Sequence, residues 1–127
     1  MQRILVICVG KLKERFYIEA AAEYQKRLSR FCKLEVVELP EVRLPDSPSP
    51  AQIEQALKKE AEAIRGRLPP ASSIVALCIE GQTRSSEELA QLLADWAQCG
   101  EKCLAFVIGS SFGLHPSIKS EAWVRLS

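Results

Sequence analysis

Gly109-Ser110-Ser111-Phe112-Gly113 reproduces the GxSxG spacing of a nucleophile turn and lies between an apolar run and Pro116, where a strand would give way to a helix. A serine held there attacks carbonyl carbon only with a histidine base and an acid to orient that base. The single histidine, His115, follows Ser111 by four residues, with only Phe112, Gly113 and Leu114 between them, and Asp46 and Asp95 both precede the serine. The chain order therefore speaks against a serine hydrolase. His115 reads instead as a polar loop group beside the helix start at Pro116.

A second pattern recurs three times. Val9-Gly10, Glu80-Gly81 and Ile108-Gly109 each end an apolar run with glycine. Ligands of open α/β sheets bind beyond the carboxyl ends of strands, where a residue without Cβ lets them approach the backbone. Three such ends on one edge predict a ligand shelf. GxGxxG is absent, which disfavours an ordinary nicotinamide site. Five cysteines cannot all pair internally, and with one histidine and no CxxC pair no zinc site is expected. Cys8, Cys78 and Cys103 lie inside apolar runs, and the cysteines are read as core thiols of a reducing compartment.

Charge is unevenly spread. The net charge is +1, yet residues 1–33 hold eight Lys/Arg and three Glu, while the rest hold nine basic and thirteen acidic residues. Such a basic first third is expected to face an anion or RNA, through Lys11, Lys13, Arg15, Lys26, Arg27 and Arg30. Helical spacing puts Lys26 and Arg30 on one face, with Arg27 beside them.

The elements that must position these residues alternate. Arg3–Val9 is a branched apolar run, the pattern of a strand buried on both faces. Phe16, Ala20, Tyr24 and Leu28 form an apolar stripe on a helix from about Glu14 to Ser29. Lys33–Leu39 is a second strand, and the prolines at 40, 45, 48 and 50 make a loop. Ser49-Pro50 with Gln52 opens a helix whose buried face is Ile53, Leu57, Ala61, Ile64 and Leu68, ended by Gly66 and Pro69. Ser73–Ile79 is a third strand. Ser85 and Glu88 cap a helix with core face Leu89, Leu92, Leu93 and Trp96, stopped at Gly100. Cys103–Ile108 is a fourth strand, Pro116 opens a short helix, and Trp123–Leu126 begins a fifth strand.

Alternating strands and helices predict an α/β fold with a mostly parallel sheet and helices on both faces. The 127 residues make one domain with no internal repeat or linker. A hydrophobic fraction of 47% with 26% charged residues excludes disordered and collagen-like chains. No apolar run reaches membrane-spanning length, and the opening run lacks a signal-peptide cleavage site, so a cytoplasmic protein with no membrane partner is expected.

ILVICVGKLKERF, AAEYQKRLSRF, KLEVVELPE, VALCIEGQTRSSEELA and LAFVIGSSFGL, in that order, resemble the bacterial large-subunit ribosomal RNA pseudouridine N3-methyltransferases of the SPOUT superfamily, the trefoil-knotted RNA methyltransferases. The resemblance implies an α/β knot fold, S-adenosylmethionine as cofactor, large-subunit rRNA on the assembled ribosome as substrate, and a homodimer. It places Leu77 and Gly109 among the cofactor contacts, with Gly81 on the same shelf. Ser110 stands where the family shows a second glycine. It names no base for the acceptor nitrogen.

The family's pattern continues past Leu126-Ser127 with a last cofactor loop, the threaded knot segment and a dimerisation helix. The 127 residues are therefore expected to form a C-terminally incomplete SPOUT-type domain that lacks the knot segment, binds S-adenosylmethionine weakly and transfers no methyl group. A non-catalytic RNA- or ribosome-binding module with a vestigial site is the alternative.

Overall fold

The computed structural model describes residues 2–100 and 103–127. Its strands are β1 (Gln2–Val9), β2 (Cys32–Leu39), β3 (Ser72–Gln82), β4 (Cys103–Ile108) and β5 (Val124–Leu126). They form one sheet in the order β2-β1-β4-β3-β5, and every pairing is parallel. Helices α1 (Arg15–Leu28), α2 (Pro50–Arg67), α3 (Ser86–Gln98) and α4 (Pro116–Glu121) make the crossovers. The all-parallel α/β arrangement bears out the expected fold class.

Strand alternation divides the core between two faces. On one, Leu5, Ile7, Val9, Ala105, Val107, Ile74 and Ala76 pack with Ala61 and Ile64 of α2 and Ile118 of α4. On the other, Val75, Leu104 and Leu126 pack against Trp96, with Leu89, Leu93 and Phe106 at the margin. The central strands are long apolar runs because both their faces are covered.

Local chemistry sets the helix ends. The Ser49 side chain accepts from the Gln52 amide at 3.2 Å while the Gln52 side chain accepts from the Ser49 amide at 2.8 Å. Ser85 and Glu88 repeat the reciprocal pair at 3.1 and 3.0 Å. Each cap is worth about 1 kcal/mol. Gly66 does not end α2. The helix runs to Arg67 and stops at Leu68, whose extended backbone is what a following proline imposes. Gly100, with φ +78°, does end α3.

α1 departs from expectation. None of its residues is buried. Phe16 is 61% and Tyr24 63% exposed, so the apolar stripe points away from the chain's own sheet. Ala21 and Gln25, half-buried, are the α1 side chains turned towards it. The helix also ends at Leu28, which leaves Arg30 in the turn leading to β2.

Candidate functional site

Because all strands are parallel, Gly10, Gly109 and Gly81 lie on one edge of the sheet. The reasons for glycine differ. Gly10 has φ +111° and donates its amide to the Leu39 carbonyl at 2.7 Å, turning the chain towards α1. A Cβ on Gly109 would run into the Gly113 carbonyl, because residues 110–113 fold back as a tight turn. A Cβ on Gly81 would stand 2.5 Å from the Leu126 carbonyl carbon. At Gly109 and Gly81 the group in closest approach is the chain itself, where the sequence suggested a ligand.

Between β1, β2 and β4 this edge opens into a groove of about 500 Å³. Val6, Cys8, Val36 and Ile108 give it an apolar floor, and Lys11, Lys13, Glu41, Gly109, Ser110 and Ser111 stand along its rim. Its size lies within the ordinary range of ligand clefts. Gly109 and Ser110 are thus brought together with Lys11 and Lys13. Leu77 and Gly81 do not line the groove, but Leu77 is the cross-strand partner of Ile108, which does. Beyond Leu77, Ile79 is 96% exposed.

The remaining basic residues lie elsewhere. A β-α-β crossover returns its helix across the sheet, so Lys26, Arg27 and Arg30 sit near Cys32, where β2 begins beside Gln2, at the edge opposite the groove. Lys26 lies in the last turn of α1 and Arg30 in the turn that follows Leu28, with the intervening Ser29 still helical in backbone. Arg15 and Arg27 are each paired in sequence-local bridges, with Glu19 and Glu23, at 3.0 Å. Among the described residues, Lys11, Lys13, Lys26 and Arg30 have no carboxylate within 4.0 Å.

The serine turn is not built as a hydrolase. The Ser111 hydroxyl donates to Glu41 at 3.4 Å. His115 Nδ1 accepts the Ser117 amide at 3.1 Å, capping α4, while Nε2 meets Glu54 at 2.8 Å. The loop role read for His115 is the one it has. Its neighbour Ser117 also takes a bond from Arg65, which pairs with Glu121 at 3.0 Å.

Glu60 is a residue the sequence reading missed. It is 5% exposed, its Oε1 accepts from the Ser110 hydroxyl at 2.9 Å, and its Oε2 accepts from the Val42 amide at 3.0 Å. One signal was available, since position 60 falls three after Leu57 on the buried stripe of α2, where a carboxylate is out of place.

All five cysteines are free, but only Cys32 and Cys103 are buried, and Cys99 is exposed rather than a core thiol. Burial, and then the charge of Glu38, pushes the Cys8 thiol upward. Burial likewise raises Cys103. Among the described residues no three His, Cys, Asp or Glu side chains are grouped to hold a metal ion. Nor, among the described residues, is any helix long and apolar enough to cross a membrane.

Residues 2–127 match the family model described as "Predicted SPOUT methyltransferase". The chain is 44% identical over 125 residues to the ribosomal RNA large subunit methyltransferase H of Streptococcus equi subsp. zooepidemicus, covering 98% of this chain and 79% of that protein. The protein of that name from Streptococcus suis is 45% identical over 125 residues, with the same coverage. The one from Lactobacillus delbrueckii subsp. bulgaricus is 42% identical over 119 residues, covering 94% of this chain and 75% of that protein. With the parallel α/β sheet and the groove at its carboxyl edge, a match along nearly the whole chain means that this protein belongs to the SPOUT methyltransferase family.

Proposed function

We propose that the protein methylates N3 of a pseudouridine in large-subunit ribosomal RNA on the assembled ribosome, in the cytoplasm, with S-adenosylmethionine as donor. The observation that carries this reading is the groove in which Gly109 and Ser110 face Lys11 and Lys13 above an apolar floor, in a member of a methyltransferase family. The relatives' shared name supports rRNA as the acceptor.

The residues present fit the donor. Ile108 on the groove floor, with Leu77 beside it on β3, offers apolar surface for an adenine, and Gly109 and Ser110 on the rim, with Gly81 along the same edge, offer backbone groups. S-adenosylmethionine supplies an already activated sulfonium methyl, so the protein's main task is alignment. Lys11 and Lys13 bind phosphate on the same rim, and Lys26, Arg27 and Arg30 form a second contact. A homodimer is supported by α1, whose exposed Phe16, Tyr17, Tyr24 and Leu28 make an apolar surface of the kind that marks an interface.

The test is methyl transfer from labelled S-adenosylmethionine to ribosomes, followed by nucleoside analysis, with calorimetry of the donor alone. Labelled N3-methylpseudouridine together with a donor affinity in the micromolar range would bear this reading out. RNA or ribosome binding with no heat from the donor would leave the binding-module reading instead.

A further inference from the structure

Glu60 spends both oxygens on loops that have no backbone pairing with one another. Ser110 belongs to the turn after β4, and Val42 to the proline-rich segment after β2. In the sheet order those two strands flank β1, so the carboxylate bridges the two segments on either side of the β1 end. A buried carboxylate is expensive unless its lone pairs are occupied, and an apolar residue would fill the α2 stripe without that cost. Charge-assisted bonds to a hydroxyl and an amide are short and directional, which suits holding a loop in place. Ser110 and Ser111 lie on the groove rim, as does Glu41, the residue before Val42.

We infer that Glu60 is a positioning residue for methyl transfer: its carboxylate fixes the post-β4 turn against the post-β2 segment and so sets the width of the groove in which donor and acceptor meet. This rests on the reading of the groove as the methyl-transfer site. Glu60 touches neither reactant. Its effect passes through Ser110 and through Glu41, carried by the Val42 amide.

The test compares Glu60→Ala, Glu60→Gln and Ser110→Ala in the native protein, by donor calorimetry, kcat and KM on ribosomes, melting temperature, and hydrogen exchange. Glu60→Ala is expected to weaken donor binding at least tenfold and to speed exchange at the Val42 amide and residues 109–113, with Ile7 and Val107 still protected. Glu60→Gln keeps an acceptor for Val42 and can donate to the Ser110 oxygen, so it should recover to within about threefold of wild type. Ser110→Ala, which removes one bond and leaves α2 intact, should loosen residues 109–113 but not Val42, and weaken donor binding severalfold. This variant decides the matter if Glu60→Ala does not fold. Donor affinity and kcat/KM within twofold of wild type in folded Glu60→Ala or Ser110→Ala, or a Glu60→Gln no better than Glu60→Ala, would overturn the inference. If the wild type neither binds donor nor transfers methyl, the proposed function fails, while unchanged exchange in Glu60→Ala refutes the bridge by itself.

Discussion

Gly81 lies against the backbone of Leu126 so closely that the space for a Cβ is already occupied by the Leu126 carbonyl carbon at 2.5 Å and its nitrogen at 2.7 Å. The last strand is seated there by pairing of Gln82 with Leu126 and by the Ser127 amide donating to the Gln82 carbonyl at 2.9 Å. Gly81→Ala should therefore dislodge β5 from β3 and cost about 1–3 kcal/mol, as overpacking does. Gly66→Ala is the control. Nothing lies within 4 Å of the Cβ it adds, so a gain of about 0.5 kcal/mol is expected in the helix. Thermal melting of both variants checks the pair, and equal melting temperatures would refute the account of Gly81.

Two groups of basic residues should separate functionally. Removing Lys11 and Lys13 together should lower the salt slope of RNA binding by about 1.5–2 and also depress kcat/KM, since they rim the groove. Removing Lys26 and Arg30 should lower the slope similarly without altering donor affinity. Arg15→Ala and Arg27→Ala should each change the slope by less than one unit, because a glutamate at 3.0 Å already offsets their charge. Binding titrations over a range of salt concentrations settle this. Equal losses from all six positions would contradict the division.

The Glu88 carboxyl is held below the ordinary carboxylate range, first by the Ser85 amide and then by the Ser85 hydroxyl. A carboxyl depressed in the folded state contributes stability that is present above its unfolded value and lost as pH falls through the folded one. Acid should accordingly weaken the start of α3 below about pH 4.5. In Ser85→Ala, which removes the hydroxyl and keeps the amide, the Glu88 resonance followed by NMR titration should move part of the way towards the ordinary value. An unmoved midpoint would count against the cap as its cause.

Thiol labelling of the native protein should proceed first at Cys99, which is exposed, and last at Cys32 and Cys103, which wait for unfolding. Cys8 should react slowly, because burial and Glu38 keep it protonated. It also lies on the groove floor, so donor or RNA should protect it further. Mass spectrometry of a time course reads this order, and a Cys8 faster than Cys99 would refute it.

Features set by neighbours in sequence were legible before the fold was known. The Ser49–Gln52 and Ser85–Glu88 caps need only a spacing of three, and the strands give way at glycine, proline or a polar residue. Features set by distant partners were not. The order β2-β1-β4-β3-β5 depends on pairings between distant residues, and nothing at Gly81 alone announces Leu126 as its neighbour. The α1 stripe shows how far periodicity goes, since the spacing of Phe16, Ala20, Tyr24 and Leu28 defines a face but not what the face meets. For the site, Gly109, Ser110, Lys11 and Lys13 could be named from the sequence. Glu60 stood out only as a carboxylate on a buried stripe, and its partners, the Val42 amide and the Ser110 hydroxyl, come together only in the fold.

The return of α1 across the sheet separates the two basic groups. The helix is 14 residues long, which at about 1.5 Å per residue is roughly 21 Å. That distance exceeds two screening lengths of about 8 Å each at physiological salt. The fields of the two basic groups therefore do not reinforce one another in free solution. A nucleotide or a short flexible strand meets either group alone, whereas a rigid partner that spans the gap meets both at once and gains the avidity of a two-point contact. On the proposed RNA-contact role of these residues, a long structured RNA should bind more tightly than a short flexible strand of the same charge per nucleotide.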